Sequence, residues 1–133
     1  MTSHHHHAVV WIDHREARVL EFNPTDEEER VLRPRDPIAH IHHHANTIGS
    51  GHAAEDQKFL HEVAASLAGV KAVLVTGPAG AKLELVKHIE RRDPQLAKII
   101  AGVEALDHPT DGELVAHARR YFRAADRMTP QQS

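Results

Sequence analysis

The sequence predicts a single α/β domain with a mixed sheet of about five strands, in which a three-strand antiparallel meander is followed by two parallel strands. Three observations support this prediction. Short apolar segments separated by turn residues fill the stretch from 8 to 34, a pattern typical of an antiparallel meander. From position 53 onwards, segments with helical spacing alternate with short apolar segments, as in parallel sheets covered by helices. The length of 133 residues suits one domain.

The first strand is predicted at 8–13, because AVVWID is apolar and rich in β-branched residues. The segment ARVLEF at 17–22 is the return strand. NPTDE at 23–27 has the residue types of a turn. ERVLRP at 29–34 is the third strand, and Pro34 ends it because proline cannot donate a hydrogen bond to a neighbouring strand. These three strands form the predicted meander.

A long segment without periodicity follows, from 35 to 52, and it contains the histidine-rich stretch HIHHHANTIGSGH at 40–52. Loops of this length are uncommon in compact domains and are usually functional or disordered. The polar ends of the chain, 1–7 and 128–133, are expected to be disordered. The folded domain is therefore expected to span 8–127.

The next three elements alternate in type. AAEDQKFLHEVAASLAG at 53–69 places its apolar residues on one helical face and stops at Gly69. KAVLVTG at 71–77 is a nearly continuous apolar strand, which is typical of a central position in a sheet. PAGAKLELVKHIERRD at 78–93 is helical, with Pro78 at its start.

The last elements complete the alternation. Pro94 opens a short helix that ends at Gly102, and a short strand follows at 103–107. Thr110 and Glu113 have the spacing of a capping box at the start of a final amphipathic helix. A meander followed by this order of strands and helices suits a ribonuclease H-like arrangement, although a fold alone does not specify chemistry.

Composition excludes several classes of function. The chain has no cysteine, so disulfides, thiolate catalysis and cysteine-type zinc fingers are excluded. Its formal net charge is −3 with 14 neutral histidines, so it is not a polycation that would seek DNA. No signal peptide is recognisable, and no apolar run reaches the ~20 residues that a membrane helix needs. A cytoplasmic protein without a membrane or DNA partner is expected, and a homo-oligomer stays open.

Four segments, in order, resemble the middle domain of the archaeal and eukaryotic class 1 peptide chain release factors and Pelota. That family has an Asp after the first strand, a loop before a long helix, a glycine- and proline-containing turn followed by Lys, and a late helix that starts with Thr-Asp. The chain is also similar to short bacterial proteins labelled translational machinery proteins. The resemblance spans roughly 8–122, and the segments that carry it are AVVWIDHREARVLEF, GSGHAAEDQKFLHEVAASL, AVLVTGPAGAKLELVKHI and KIIAGVEALDHPTDGELVAHA.

The resemblance implies a ribosome-associated role in rescue, quality control or hibernation. In release factors the loop before the long helix carries the Gly-Gly-Gln motif that acts in peptide release. This chain reads Gly49-Ser50-Gly51-His52 at that place and contains no Gly-Gly-Gln, so a non-catalytic factor is expected. The loop would contact ribosomal RNA, and the candidate residues are His42, His43, His44, Gly49, Ser50, Gly51 and His52, with Arg33 and Arg35.

Two alternatives come from other classes. His40, His42 and His44 lie on one side of an extended chain, and His52 can join them. Imidazoles so grouped can bind zinc, nickel or copper, although a solvated loop that binds metal only adventitiously has the same pattern. No cofactor is otherwise required. The second alternative is a hydrolase of peptidyl-tRNA or a related ester, with His52 in place of the missing glutamine.

The remaining motifs have ordinary structural interpretations. Asp13 follows the first strand as a ribonuclease H carboxylate would, but no carboxylate ends the central strand, so Asp13 is expected to form a turn. TGPAGAK at 76–82 lacks the Walker A pattern and is interpreted as a tight strand-to-helix turn. Two basic runs could face ribosomal RNA, although solvated helix faces are the default; they are Lys87, Arg91 and Arg92, then Arg119, Arg120, Arg123 and Arg127.

Overall fold

The structure of the protein, a computed structural model, describes residues 7–23, 27–32 and 50–128. Five strands and four helices lie within these ranges. In chain order they are β1 (His7–Ile12), β2 (Ala17–Phe22), β3 (Glu27–Leu32), α1 (Ser50–Ala65), β4 (Ala72–Gly77), α2 (Ala81–Arg92), α3 (Pro94–Ala97), β5 (Ile100–Ala105) and α4 (Asp111–Met128). None of the helices in these ranges is long and apolar enough to cross a membrane.

The strands form one mixed sheet in the order β3-β2-β1-β4-β5. β1 pairs antiparallel with β2, and β2 pairs antiparallel with β3. β4 pairs parallel with β1 on one side and with β5 on the other. The predicted α/β class with a ribonuclease H-like mixed sheet is therefore confirmed. The parallel pairs are possible because α1 and α2 provide the crossover connections that parallel strands require.

Helices cover both faces of the sheet. On one face, alternate residues of β1 and β4 pack against α1 and α2; the buried residues there include Val10, Ile12, Val19, Leu60, Val63, Leu67, Val75, Leu85 and Ile89. On the other face, the intervening residues pack against α4; these are Val9, Trp11, Leu20, Phe22, Leu74, Leu114, Val115, Ala118 and Phe122. Burial on both faces explains why β1 and β4 are continuous apolar runs rather than alternating ones.

Two predicted boundaries near the loop are wrong. The long helix begins at Ser50 rather than at 53, so Ser50, Gly51 and His52 lie in its first turn and not in a loop. Serine and glycine disfavour helix interiors but are well tolerated at a helix start, which is why the residue types concealed this turn. β3 covers 27–32 rather than 29–34. The rest of the predicted loop lies outside the described residues.

The prediction for the segment around Gly102 is also wrong. β5 begins at Ile100, so Gly102 lies within a strand instead of ending a helix. The short helix α3 has only four residues, and the Asp93 carboxylate accepts a hydrogen bond from Leu96 N at 3.1 Å at its start. A Cβ at Gly102 would overlap the hydroxyl of Tyr121 on α4, so the end of that side chain would have to move to admit a larger residue.

His7 is part of the folded sheet, although the first seven residues were expected to be disordered. It is the first residue of β1 and is half-buried. Its ring centroid lies 4.2 Å from that of Phe122 and 5.9 Å from that of Phe22. Contacts between aromatic rings of this kind stabilise strand ends.

The predicted start of α4 is confirmed in detail. The Thr110 hydroxyl accepts a hydrogen bond from Glu113 N at 3.1 Å, and the Glu113 carboxylate accepts one from Thr110 N at 2.8 Å. This reciprocal pair satisfies two backbone donors that helix geometry leaves without partners.

Gly77 allows the backbones of β1 and β4 to approach closely at the end of the parallel pair. Its φ is +157°, and a Cβ at this position would collide with the carbonyl oxygen of Ile12. Gly80, three residues later, has no heavy atom within 4 Å of such a Cβ. Of these two glycines, only Gly77 is required for steric reasons.

We therefore expect Gly77→Ala to lower the free energy of unfolding by about 2–3 kcal/mol, since it adds backbone strain and a clash in a packed region. Gly80→Ala is the matched control and should be neutral or slightly stabilising. Urea denaturation of both variants measures the difference. Equal stability of the two variants would contradict the steric role of Gly77.

Candidate functional site at the carboxyl edge of the sheet

Three connections meet at one edge of the sheet. Because β1, β4 and β5 are parallel, the segments that follow them, 13–16, 78–80 and 106–110, all lie at their carboxyl ends. Open α/β sheets commonly bind ligands outside this edge. We call it the carboxyl edge, and it is the part of the described structure where a functional site is expected.

Asp13 organises the turn that joins β1 to β2. Its Oδ1 atom accepts hydrogen bonds from Arg15 N at 2.8 Å and from Glu16 N at 2.9 Å. Asp13 N donates to Glu16 O at 3.0 Å in the same turn. Asp13 is therefore a turn former, as predicted. Within 7–23 and the other described ranges, no group of three or more His, Asp or Glu side chains could hold a metal ion.

The turn between β4 and α2 has the tight form that the sequence predicts. α2 starts at Ala81 with Gly80 as its N-cap and without a side-chain cap. The Lys82 ammonium donates to Ala79 O at 2.5 Å, so this lysine contacts the backbone of its own turn. Pro78 precedes the helix and does not start it, because Pro78, Ala79 and Gly80 connect the end of β4 at Gly77 to the start of α2 at Ala81.

The first turns of α1 extend away from the carboxyl edge. Six residues, of which 66–69 form hydrogen-bonded turns, join Ala65 at the end of α1 to the start of β4, so the C-terminus of α1 lies at the opposite, amino edge. A shallow cleft joins the middle of α1 to the β1–β2 turn and the start of α2; it is lined by Ile12, Asp13, His14, Phe59, Leu60, Ala81 and Glu84. At 1.5 Å per residue, Ser50 lies about 13 Å along the helix axis from Phe59.

The predicted site residues are therefore distributed unevenly. Ser50, Gly51 and His52 belong to the first turn of α1. The other candidates lie outside the described residues, and these are Arg33, Arg35, His40, His42, His43, His44 and Gly49. Their grouping into an RNA-binding loop or a metal site stays a prediction.

The two basic runs lie on opposite sides of the sheet. Lys87, Arg91 and Arg92 are exposed on α2, which packs on the same face as α1. Arg120 and Arg123 are exposed on α4, which covers the other face. The two runs therefore do not form one continuous basic surface.

Arg119 belongs to the packing of α4 rather than to a free basic surface. Its guanidinium donates to Asn23 O at 3.0 Å. It also lies over the ring of Phe22 at 5.5 Å from the centroid. The charge of Arg119 is thus already engaged within the fold, unlike that of the exposed arginines beside it.

Sequence reasoning missed a buried cluster that fixes the segment after β5. Trp11 is 1% exposed, and its Nε1 donates to Leu106 O at 3.2 Å and to Asp107 O at 2.9 Å. The ring of His108 packs against the indole with centroids 5.1 Å apart. A buried indole N–H needs an acceptor, and here the backbone of the β5–α4 connection supplies two.

Arg18 completes this cluster from β2. Its guanidinium carbon lies 4.7 Å from the centroid of the Trp11 ring. Nη1 donates to the Asp111 carboxylate at 2.6 Å, and Nη2 donates to Pro109 O at 2.9 Å. Arg18 therefore joins the meander to the start of α4 by a cation–π contact and two hydrogen bonds. The one available signal in the sequence was an arginine among the apolar residues of β2.

No protein-family model matches this sequence, and no curated protein matches it. Solved structures do match. Pelota from Archaeoglobus fulgidus superposes with a TM-score of 0.61 at 18% identity, over 93% of this chain and 36% of that one. An archaeal translation termination factor gives 0.56 at 20% identity, over 92% of this chain and 38% of the other. A model of ribosome-bound archaeal Pelota gives 0.54 at 20% identity, over 90% and 36%.

This chain has the fold of those translation factors. The resemblance noted in the sequence is confirmed at this level, and it fits a unit like their middle domain. The chain spans little more than a third of the length of each of these proteins. At these identities the likeness establishes the fold, and the activities of the larger proteins do not follow from it.

We expect Arg18→Lys to destabilise the protein by about 1–3 kcal/mol, because lysine loses the guanidinium contact with the Trp11 ring and cannot make the two hydrogen bonds to Asp111 and Pro109 in the same geometry. Arg120→Lys, an exposed substitution on α4, is the matched control and should change stability by less than about 0.5 kcal/mol. Guanidinium denaturation gives both values. A neutral Arg18→Lys would show that the charge alone, and not the guanidinium shape, holds the cluster.

Proposed function

We propose that the protein is a non-catalytic, ribosome-associated translation factor of the rescue, quality-control or hibernation kind. The observation that carries this proposal is the shared fold over about nine-tenths of the chain with proteins described as Pelota, as a translation termination factor and as ribosome-bound Pelota. Nearly the whole of this chain takes part in the likeness.

The proposed contact with ribosomal RNA uses the histidine- and glycine-rich segment that continues into the first turn of α1. Its residues are those predicted from the sequence: His42, His43, His44, Gly49, Ser50, Gly51 and His52, with Arg33 and Arg35. The position of Ser50–His52 in the first turn of α1 supports this proposal, since a rigid helix can carry the end of the segment outward from the sheet. Imidazoles that gain protons near neutral pH and arginines both attract phosphate.

The non-catalytic part of the proposal rests on the sequence at the place of the release motif. Gly49-Ser50-Gly51-His52 stands there without a glutamine. An ester hydrolase would need another group to orient water, and His52 is the candidate. Loss of peptidyl-tRNA hydrolysis in His52→Ala, after activity is found in the unaltered protein, would favour the hydrolase and overturn this part.

The whole proposal is tested by co-sedimentation of the untagged protein with ribosomes at constant magnesium and rising salt. We expect binding at low salt that weakens as salt increases, because contacts to phosphate release counterions. One variant replaces residues 40–49 with a Gly/Ser linker and leaves α1 unchanged. The matched control is Arg120→Gln, which removes an exposed positive charge on α4.

The outcomes separate the alternatives. Loss of binding in the linker variant, with Arg120→Gln unchanged, would support the segment as the RNA contact. Binding by all three proteins would keep the ribosome as partner and reject the segment. Absence of binding at low salt would reject the translation role. If binding or thermal stability then depends on added zinc or nickel, a metal-responsive function of His40, His42, His44 and His52 gains support.

A further inference from the structure

His88 is a buried histidine in the contact between α1 and α2. It is 3% exposed, and its Nδ1 atom lies 3.0 Å from the side-chain oxygen of Gln57 on α1. An amide oxygen only accepts hydrogen bonds, so Nδ1 carries the proton and Nε2 has the lone pair. Nε2 is buried and has no hydrogen-bond partner. The neutral ring therefore fits this contact, and only one of its nitrogens is engaged.

Among the described residues, the charged and titratable groups that shift the pKa of His88 are all basic. The ring of His61, on α1, meets that of His88 edge-on with centroids 6.0 Å apart. Burial lowers the pKa of His88 below the ordinary histidine value of 6.5, and the nearby His61, Arg92 and Arg91 lower it further. Within the part of the chain that the structure describes, no carboxylate contributes to this shift. A second proton on His88 would therefore meet no acceptor there, and none of the described groups that shift the pKa carries a compensating negative charge.

We propose that the α1–α2 contact is a proton-operated latch: neutral His88 holds α1 against α2, and protonation of His88 releases α1. The added proton would sit on Nε2, where it has no acceptor, inside a packed contact. Separation of α1 from α2 would give the charged ring access to water. Release would free the helix whose first turn contains Ser50–His52, while α4 and the opposite face of the sheet stay folded. This inference is independent of the proposed function.

The direction of the pH effect follows from proton binding. Above pH 6.5, His88 is neutral whether α1 is docked or released, so the contact has its full stability. As the pH falls below 6.5, the released ring binds a proton that the docked ring does not bind. Stability of the contact is then lost until the pH reaches the lowered pKa of the docked ring. One proton changes the opening equilibrium by at most about tenfold per pH unit.

Amide hydrogen exchange followed by NMR tests the latch in the full-length protein. Exchange is measured about one unit above and about one unit below pH 6.5 and corrected for the intrinsic pH dependence of exchange. We expect protection of α1 amides from 57 to 65 to fall by several-fold, up to about tenfold, while α4 amides keep theirs. The imidazole signals of His88, followed over the same range, should titrate below 6.5.

His88→Asn is the informative variant, because its amide nitrogen can replace Nδ1 as donor to Gln57 but has no proton to gain. Its α1 protection should not change with pH. His117→Asn on α4, which replaces the ring that lies 2.6 Å from Glu104, is the control and should keep the wild-type response of α1. Arg91→Gln removes a repelling charge and should weaken the response.

Three results would overturn the latch. The first is titration of His88 at or above 6.5 in the unaltered protein, a measurement that does not depend on any variant folding. The second is an equal loss of protection in α4 and α1, which would indicate global unfolding. The third is an unchanged acid response in His88→Asn, which would assign the effect to another group.

Discussion

Burial of β1 on both faces is the constraint on which the rest of this structure depends. From Ala8 to Ile12 no residue is more than 1% exposed, so neither face of the strand can be left to solvent. Removing apolar surface from water stabilises the fold by about 25 cal/mol for each Å². Each face of this strand must therefore be covered by its own layer of helices. α1 and α2 form one layer and α4 forms the other. The carboxyl edge is consequently the place where both helical layers adjoin the connections that follow β1, β4 and β5.

The two layers are held by different chemistry. On the α4 side, Trp11 and Arg18 donate hydrogen bonds to the backbone of 106–109 and to Asp111, so this side combines apolar burial with directional contacts. On the α1–α2 side the described packing is mainly apolar, and His88 meets Gln57 and His61 within it. Because one nitrogen of His88 is unused, this contact is sensitive to protonation.

Much of the fold could be predicted because its determinants are local. The apolar runs of β1 and β4 and the capping box of α4 are contained within a few neighbouring residues. The order of strands and helices is then compatible with only a few sheet topologies. The boundary that failed at Gly102 depends on a distant partner instead. Gly102 lies in a strand that pairs with β4, where it is opposite Leu74, 28 positions earlier.

The candidate site likewise has features that are visible in the local sequence and features that depend on distant contacts. The histidine-rich segment is conspicuous in composition, but the helical state of Ser50–His52 is not, since serine and glycine favour loops as well as helix starts. Trp11 and Asp107 are 96 positions apart, and His88 and Gln57 are 31 apart. Residues so far apart show no periodic pattern in the sequence, so only the three-dimensional structure reveals that the members of each pair are in contact.

Trp11 is the single tryptophan of the chain, and its position makes it an optical probe of one half of the molecule. Its indole is enclosed between Arg18 and His108 on the α4 side of the sheet. Intrinsic fluorescence will therefore report when the segment after β5 leaves the indole. We expect the same signal to be insensitive to movements of α1, because the five-stranded sheet lies between that helix and the indole. Studies of this protein by fluorescence alone would record one layer of the fold and overlook the other.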